Sequence, residues 1–349
     1  MKLAVIVPHL PPTRCGVYDY TLNLARRWPS PDTWTLLCPD SGDAWPGASV
    51  ISIRRQADSL AAGLRLAGAD ALLVQYTCFG YADNGVPAWL AEGLQGVRAA
   101  RLAVMFHELY YSGPPWRRAY WRKGRQLALA QRLAAMASAV LTGVPDWVSP
   151  LSLPQGPQVT LAPIPSNIDP LHPCAHSGPL TLGIFGLETT RVRALRLGRP
   201  VIETLLDARV DFTLRLIGAG AERGISAREM EWLEGVPRER VTAEAFDSPA
   251  DVSKALSACQ LVLPAVTGPE LYKSGTAMAA LAHGCALCAA GPAKSGIPVL
   301  WLEVRRRAEF VKALQAGAAR ERGLEGRRWN EEHSGWPRAL EAWHQALRA

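Results

Sequence analysis

Short apolar runs alternate with helix-like segments along most of this chain, and this alternation limits its fold more than any other feature. Apolar residues recur at helical spacing at residues 56–66 and 126–137, between runs that are typical of buried strands. Strands that alternate with helices indicate βαβ units and a parallel sheet. In the first half, strands are predicted at residues 3–7, 34–38, 50–53, 71–75, 102–106, 139–141 and 159–162.

One proline-rich segment interrupts the alternation. Residues 163–179 contain five prolines and show no periodicity, which is typical of a linker. The sequence therefore predicts an α/β protein with two doubly wound Rossmann-type domains facing across a cleft, where a ligand would bind. The predicted domains are residues 1–165 and 180–325, joined by a linker at 166–179 and followed by a helical segment at 326–349. In the second half, strands are predicted at residues 180–185, 212–217, 241–246, 261–266, 285–289 and 299–302.

Charge and composition narrow the class of partner. The 38 Lys and Arg residues exceed the 31 Asp and Glu residues, giving a net charge of +7. This balance suits nucleic acid, anionic lipid or a phosphorylated ligand, or simply a basic surface. Nucleic acid is not expected, because no helix-turn-helix, zinc-finger or RNP pattern is present. The seven cysteines are scattered in apolar surroundings, so they are interpreted as buried thiols.

The sequence indicates no membrane-spanning or secretory segment. No stretch of about 18 apolar residues occurs, and the first apolar run ends at Pro8, too early for a signal peptide. We therefore expect a cytoplasmic protein, with peripheral contact at the inner membrane face as an alternative.

The most informative motif is the segment 261–284, where an apolar strand leads into a polar loop and a short Ala-rich helix. The start of a helix exposes backbone N–H groups and a partial positive charge, which favour an anion. Gly275 allows close approach of a phosphate, Ser274 and Thr276 offer hydroxyls, and Lys273 adds a full charge. The segment predicts a phosphate site, and the alternative is an ordinary turn with a Thr N-cap.

A second strand of this half ends in a glycine that is followed by two arginines. The strand ends at Gly186, and either Arg191 or Arg193 could neutralise a diphosphate through a bidentate contact. The alternative is a solvated helix face.

The first half has two further candidates at the ends of predicted strands. The loop after the first strand ends at Gly16, in the position of a phosphate-binding turn, although the full G-x-G-x-x-G fingerprint is absent. His107 follows the strand at 102–106 and could reach a cleft, although a lone histidine is as often structural.

The order and spacing of these motifs resemble the GT-B fold glycosyltransferases of the retaining family 4, over nearly the whole chain. The matching features are Val-Ile-Val-Pro-His-Leu-Pro-Pro with Gly16 and Tyr18-Asp19-Tyr20, His107-Glu108-Leu109, Ala162-Pro163 with Ser166-Asn167-Ile168, residues 214–220, residues 261–284 and the tryptophan-containing tail.

The resemblance implies an activity and a role for each candidate residue. Such an enzyme moves a sugar from a nucleoside-diphosphate donor to an acceptor, here unknown: a glycan, a lipid-linked molecule, a protein or a small molecule. Gly16 would face the donor diphosphate, His107 would lie beside the donor sugar, and Lys273 with the arginine after Gly186 would hold the pyrophosphate. The final helix would cross to the first domain, so that the helical segment 326–349 would pack back on that domain. No cofactor is implied besides the donor substrate.

The residues also indicate independence from metal ions. The chain has no obvious D-x-D motif and no His/Cys ligand cluster, whereas basic side chains and helix N-termini are available to stabilise a leaving diphosphate.

The sequence departs from the family at one motif, which usually reads Glu, seven residues, Glu, then Ala-Met-Ala-x-Gly. In this chain Ala279 occupies the position of the second Glu and Leu271 that of the first. Glu270 is one residue before the position of the first Glu. The ribose contact of the second Glu is therefore missing. The alternatives are an epimerase or phosphorylase on the same fold, with Glu108 and Glu270 as its carboxylates, or a non-catalytic partner subunit.

A basic and aromatic segment at residues 116–125 has no assigned role in this scheme. It contains five basic residues and three aromatic residues. It could bind an anionic lipid surface or an anionic acceptor. We expect instead a solvated helix whose aromatic side chains enter the core. The basic run at 305–307 is interpreted as an exposed helix face.

Overall fold

The computed structural model describes residues 1–96, 101–172, 174, 178–291 and 296–348. The chain forms two compact units. Unit 1 contains Met1–Pro163 and Trp336–Ala349, and unit 2 contains Ile164–Gly335. Part of the predicted linker, residues 173 and 175–177, lies outside the described residues.

Unit 1 is built on a parallel sheet of seven strands in the order β3-β2-β1-β4-β5-β6-β7. The order reverses between β1 and β4, and this reversal is the switch point at which doubly wound sheets bind their ligands. The elements are β1 (Lys2–Ile6), α1 (Gly16–Arg26), β2 (Thr33–Cys38), β3 (Ala48–Ser52), α2 (Ala57–Ala67), β4 (Ala71–Thr77), α3 (Cys78–Tyr81), α4 (Ala88–Leu94), β5 (Arg101–Glu108), α5 (Lys123–Met136), β6 (Ala139–Thr142), α6 (Val148–Leu151) and β7 (Val159–Leu161).

Unit 2 repeats this plan with six parallel strands in the order β10-β9-β8-β11-β12-β13, so its switch point lies between β8 and β11. The elements are β8 (Leu180–Phe185), α7 (Glu188–Asp207), β9 (Phe212–Ile217), α8 (Ala227–Met230), β10 (Val241–Glu244), α9 (Pro249–Ser257), β11 (Leu261–Val262), α10 (Gly275–His283), β12 (Ala286–Ala290), β13 (Val299–Leu302), α11 (Arg307–Gln315) and α12 (Ala318–His333).

The predicted fold class is confirmed, and a strand is found at each of the thirteen predicted places. The apolar runs predict these strands well because a parallel sheet covered by helices buries both faces of each strand. Strand β11 is shorter than the predicted 261–266. Leu263 still donates its N–H to the Gly183 carbonyl at 3.0 Å, but Pro264 has no N–H with which to continue the ladder.

The C-terminal segment divides between the units in a way that the sequence did not predict. Residues 326–349 were expected to pack on the first domain as one segment, but α12 packs on α10 and β12 of unit 2. Gly323 permits this approach, because a Cβ there would lie 2.1 Å from the Gly284 carbonyl oxygen. The last helix, α13 (Trp336–Arg348), belongs to unit 1. Its fully buried Trp343 donates Nε1–H to the Tyr20 hydroxyl at 2.8 Å.

No helix in the described part of the chain combines the length and the apolar character needed to cross a bilayer.

Candidate active site

Two glycine turns follow adjacent strands at the carboxyl edge of the unit 2 sheet. Gly186 directly follows β8 with φ +138°, and Gly218 directly follows β9 with φ +126°. A Cβ on Gly218 would lie 2.4 Å from the Gly186 carbonyl oxygen, and a Cβ on Gly186 would lie 3.4 Å from Thr276 Cγ2. Only glycine fits this combination of positive φ and close approach. The turn after β8 is therefore held against the first turn of α10, on the far side of the switch point.

The first turn of α10 has the geometry of an anion site. Ser274, and not Thr276, is the N-cap: its Oγ accepts the Ala277 N–H at 3.3 Å and lies 3.1 Å from Thr276 Oγ1. Helix geometry leaves the first amides, those of Gly275 and Thr276, without a partner inside the helix. In the described structure, no atom outside the immediate neighbourhood lies within 4 Å of a Cβ built on Gly275. A ligand can approach these amides closely.

Three of the predicted residues meet beside this helix start. The Glu270 carboxylate lies between two cations, 3.4 Å from Lys273 Nζ and 3.5 Å from Arg193 Nη2. Lys273 and Glu270 are largely buried, with side chains 16% and 18% exposed, whereas the Arg193 side chain is 45% exposed. The pair with Arg193 is partly solvated, and ion pairs of that kind are weak. A multiply charged anion could therefore displace the Glu270 carboxylate from its two partners.

Arg191 does not join this group, and its expected contact with a diphosphate is replaced by a structural role. Its side chain is 1% exposed, and Nε donates to Glu229 Oε1 at 2.7 Å. Nη1 donates to the carbonyls of Gly186 and Ala219, each at 2.8 Å. Residues two positions apart in an α-helix are separated by about 200° around the helix axis, so Arg191 and Arg193 lie on opposite faces of α7. Arg191 thus ties together the turns after β8 and β9.

His107 is the last residue but one of β5 in unit 1, within the strand and not after it, and it is held by buried neighbours. Its Nε2 lies 2.7 Å from Oε1 of the fully buried Gln75, and the ring packs edge-on against Tyr20 at 5.0 Å between centroids. Burial lowers the pKa of His107 to about 3, so the imidazole is neutral at pH 7. With Gln75 accepting the Nε2 proton, Nδ1 is left as an acceptor for a ligand hydroxyl.

We expect His107 to make the stability of this protein depend on pH in mildly acid solution. The folded-state pKa lies below the ordinary value of about 6.5, so between pH 6.5 and 3 the unfolded chain binds a proton that the folded protein excludes. Stability should therefore fall as pH falls, by about 1.4 kcal/mol per pH unit for one such proton. Urea unfolding at a series of pH values should show a shallower fall for His107→Asn. Parallel curves for the variant and the wild type would contradict this.

Two other features lie at the carboxyl edge of the unit 1 sheet. Glu108 Oε2 accepts the Thr77 hydroxyl at 2.9 Å and lies 3.5 Å from Cys78 Sγ, so this carboxylate is tied to the end of β4. Gly16 is the first residue of α1, and in the described structure a Cβ there would meet no atom within 4 Å. The loop after β1 therefore leads into α1 at Gly16, and the contact of Gly16 with a phosphate stays a prediction.

One polar cluster at this edge, formed by His9, Asp40 and Arg55, was not predicted from the sequence. His9 Nδ1 lies 2.5 Å from Asp40 Oδ2, and Arg55 Nη2 lies 3.5 Å from the other oxygen of Asp40. The signal was present, because His9 follows β1 and Asp40 follows β2, and neighbouring parallel strands end at the same edge.

Cys78 lies beside Glu108, and the clusters around Glu270 and Asp40 are formed by residues other than cysteine. Six of the seven are buried and Cys15 is half-buried. Burial raises the pKa of Cys38 to about 11 and that of Cys259 to about 12, so both thiols stay protonated at pH 7. In the described ranges, no group of three or more His, Cys, Asp or Glu residues is placed to hold a metal ion.

The basic and aromatic segment does not have the expected arrangement. Trp116 and Trp121 are 79% and 78% exposed, so the prediction that its aromatic side chains enter the core is wrong. The reason is that α5 begins only at Lys123, so both tryptophans precede the helix. The buried face of α5 starts at Gln126 and continues with Leu129, Ala130, Leu133 and Ala134.

Comparison with known proteins identifies the fold. No protein-family model matches this chain, and a search of curated proteins finds no match. Many solved structures do match. The apo lipopolysaccharide outer core galactosyltransferase WaaB has a TM-score of 0.61 at 14% identity, covering 99% of both chains. An α-glucosyltransferase in complex with UDP has a TM-score of 0.60 at 12% identity, again over 99% of both. A proposed UDP-N-acetylglucosamine 2-epimerase from Listeria monocytogenes has a TM-score of 0.52 at 12% identity, over 98% of this chain and 94% of that one. At these identities the likeness shows a GT-B fold.

Proposed function

We propose that this chain, which has the GT-B fold, is a glycosyltransferase that moves a sugar from a nucleoside-diphosphate donor to an acceptor hydroxyl. The observation that carries the proposal is the meeting of Lys273, Arg193 and the first turn of α10 at the switch point of unit 2. The acceptor class stays open among glycans, lipid-linked molecules, proteins and small molecules.

In this proposal, unit 2 binds the diphosphate. The amides of Gly275 and Thr276, with the hydroxyl of Ser274, would donate to phosphate oxygens, and the helix dipole would favour their charge. Lys273 and Arg193 would exchange their contact with Glu270 for the phosphates. As the bond from the anomeric carbon to the diphosphate oxygen breaks, negative charge grows on the leaving group. Preorganised donors at that point stabilise the transition state more than the ground state.

His107 is our proposed catalytic residue, acting on the transferred sugar. A neutral imidazole can accept a hydrogen bond from a sugar hydroxyl through Nδ1 without adding a positive charge beside an oxocarbenium-like centre. Its bond to Gln75 would fix the tautomer. Gly16, at the start of α1, would allow close approach of the donor. Retention of anomeric configuration is carried over from the resemblance to family 4.

His107→Ala should lower turnover about tenfold, which corresponds to one lost hydrogen bond to the transferring sugar. The affinity for a free nucleoside diphosphate should change much less, because that ligand has no sugar on its β-phosphate. Steady-state kinetics and calorimetric binding separate the two effects. His344→Ala, which removes a histidine on α13, serves as the matched control. An equal loss of nucleotide affinity would place His107 on the wrong part of the donor.

Turnover should persist in excess EDTA, since basic side chains and helix amides are available to neutralise the diphosphate. The measurement is nucleotide release before and after chelation. A loss of turnover that only Mg²⁺ or Mn²⁺ restores would contradict metal-independent catalysis.

The decisive experiment is a binding screen of UDP, GDP, ADP and TDP, followed by incubation with the matching nucleotide sugars. A transferase should bind at least one diphosphate and release it from the sugar when an acceptor is present. An epimerase, the second candidate because one matching structure is proposed to be one, would isomerise the sugar without needing an acceptor. Failure to bind any nucleoside diphosphate would overturn the assignment of unit 2.

A further inference from the structure

One surface of unit 1 combines exposed tryptophans with exposed arginines, and neither the fold nor the proposed reaction uses it. We call it the Trp–Arg surface; it consists of Trp116, Arg117, Arg118, Tyr120, Trp121, Arg122, Lys123 and Arg125. All eight residues are exposed. Trp116, at 79%, and Trp121, at 78%, are among the most exposed large side chains of the described structure. Two highly exposed tryptophans only five positions apart in the sequence are unusual on a surface that contacts only water.

The charge of this surface has one sign. Residues 109–145 contain six basic residues and no Asp or Glu. Among the residues that the structure describes, no carboxylate forms an ion pair with Arg117, Arg118, Arg122 or Arg125. Elsewhere in the protein, some exposed arginines lie beside glutamates, as Arg306 does. Residues 109–145 differ in that the segment has six basic residues and no carboxylate side chain of its own.

The surface is presented by a firmly packed base. Tyr111 donates its N–H to Oε1 of the buried Gln126 at 2.9 Å, and Lys123 Nζ lies 4.3 Å from the Tyr110 ring centroid. Short turns connect these anchors, with Tyr120 donating to the Arg117 carbonyl at 3.0 Å. Trp116 and its neighbours line an open depression of about 720 Å³. These contacts tie the residues just after β5 to α5, at the two ends of the segment that carries the Trp–Arg surface.

We propose that the Trp–Arg surface docks this protein onto an anionic lipid bilayer. Tryptophan rings are amphipathic and settle at the level of the lipid headgroups, while arginines pair with headgroup phosphates. An acidic protein partner or a nucleic acid could neutralise the positive charge of the surface. The two exposed tryptophan rings beside that charge favour a lipid headgroup layer, where both the rings and the arginines find partners. This docking does not depend on transferase activity.

The test is co-sedimentation of the full chain with vesicles of phosphatidylcholine, with or without about one-third phosphatidylglycerol. The wild type should bind the anionic vesicles and not the neutral ones, and binding should weaken as salt is raised. Arg117→Ala/Arg118→Ala should weaken binding about 25-fold, since each arginine near an anionic surface contributes about fivefold. Trp116→Ala/Trp121→Ala should weaken it as well, because the rings anchor the contact.

The matched control is Arg305→Ala/Arg306→Ala, which removes two adjacent exposed arginines and the same net charge from unit 2. It should bind vesicles as the wild type does. Equal weakening by both double variants would mean that only total charge matters and would overturn the proposal. So would an absence of vesicle binding, or binding confined to a soluble polyanion such as single-stranded nucleic acid. All the substituted residues are exposed, and an unchanged melting temperature would confirm that the variants fold.

Discussion

Lys273→Ala should lower turnover about a hundredfold, or about 3 kcal/mol, and should also weaken binding of the nucleoside diphosphate. The residue lies one position before the Ser274 cap, where helix amides already favour an anion. An ammonium group there would strengthen its contact as charge grows on the leaving diphosphate. Steady-state kinetics with the preferred donor and calorimetry with the free diphosphate measure the two losses.

Two further variants make this result specific. Lys273→Arg should recover only part of the activity, because a planar guanidinium does not replace a compact ammonium group in a tight loop. Lys312→Ala removes an exposed lysine from α11 and should behave as the wild type. If Lys273→Ala binds every nucleoside diphosphate as tightly as the wild type, the phosphate site lies elsewhere.

Arg191→Met should lower the free energy of unfolding by about 3–5 kcal/mol, which is the usual cost of leaving one partner of a buried ion pair alone. Glu229 is 1% exposed and would keep a charge with no guanidinium beside it. The carbonyls of Gly186 and Ala219 would lose their donor at the same time. Urea unfolding followed by circular dichroism should show an earlier midpoint.

A second substitution identifies the cause of this loss. Arg191→Met/Glu229→Gln removes the buried charge while a Gln can still accept the Ser226 N–H of the capping box, so it should recover a large share of the stability. Arg193→Met, two residues along the same helix, should change stability by no more than about 0.5 kcal/mol, because nearly half of that side chain is exposed to solvent. An unchanged midpoint for Arg191→Met would show that the pair contributes nothing.

The class of fold could be predicted from the sequence because strand and helix signals are local. Runs such as β4, with six of its seven residues buried, have an apolar character that is independent of what packs on them. The same holds for the helix start at Gly275, where the turn residues, the small first helical residue and the position after a strand all lie within a few residues. Because the strands of such a sheet run parallel, the loop after β11 must lie at the carboxyl edge of the sheet, and this follows without further information.

The tertiary structure decided which side chains are available at that edge. Arg191 and Arg193 look equivalent in the sequence, but the face of α7 that meets the sheet commits Arg191 to Glu229, 38 residues away. The approach of Glu270 to Arg193 likewise depends on the segment before α10 meeting α7, whereas the contact of Glu270 with Lys273, three residues away, is local. Trp116 and Trp121 are exposed because α5 begins after them. By itself, the sequence determined the alternation of elements and the location of the helix start, since these follow from neighbouring residues. Burial and pairing depend on contacts between distant segments, and only the folded chain determines them.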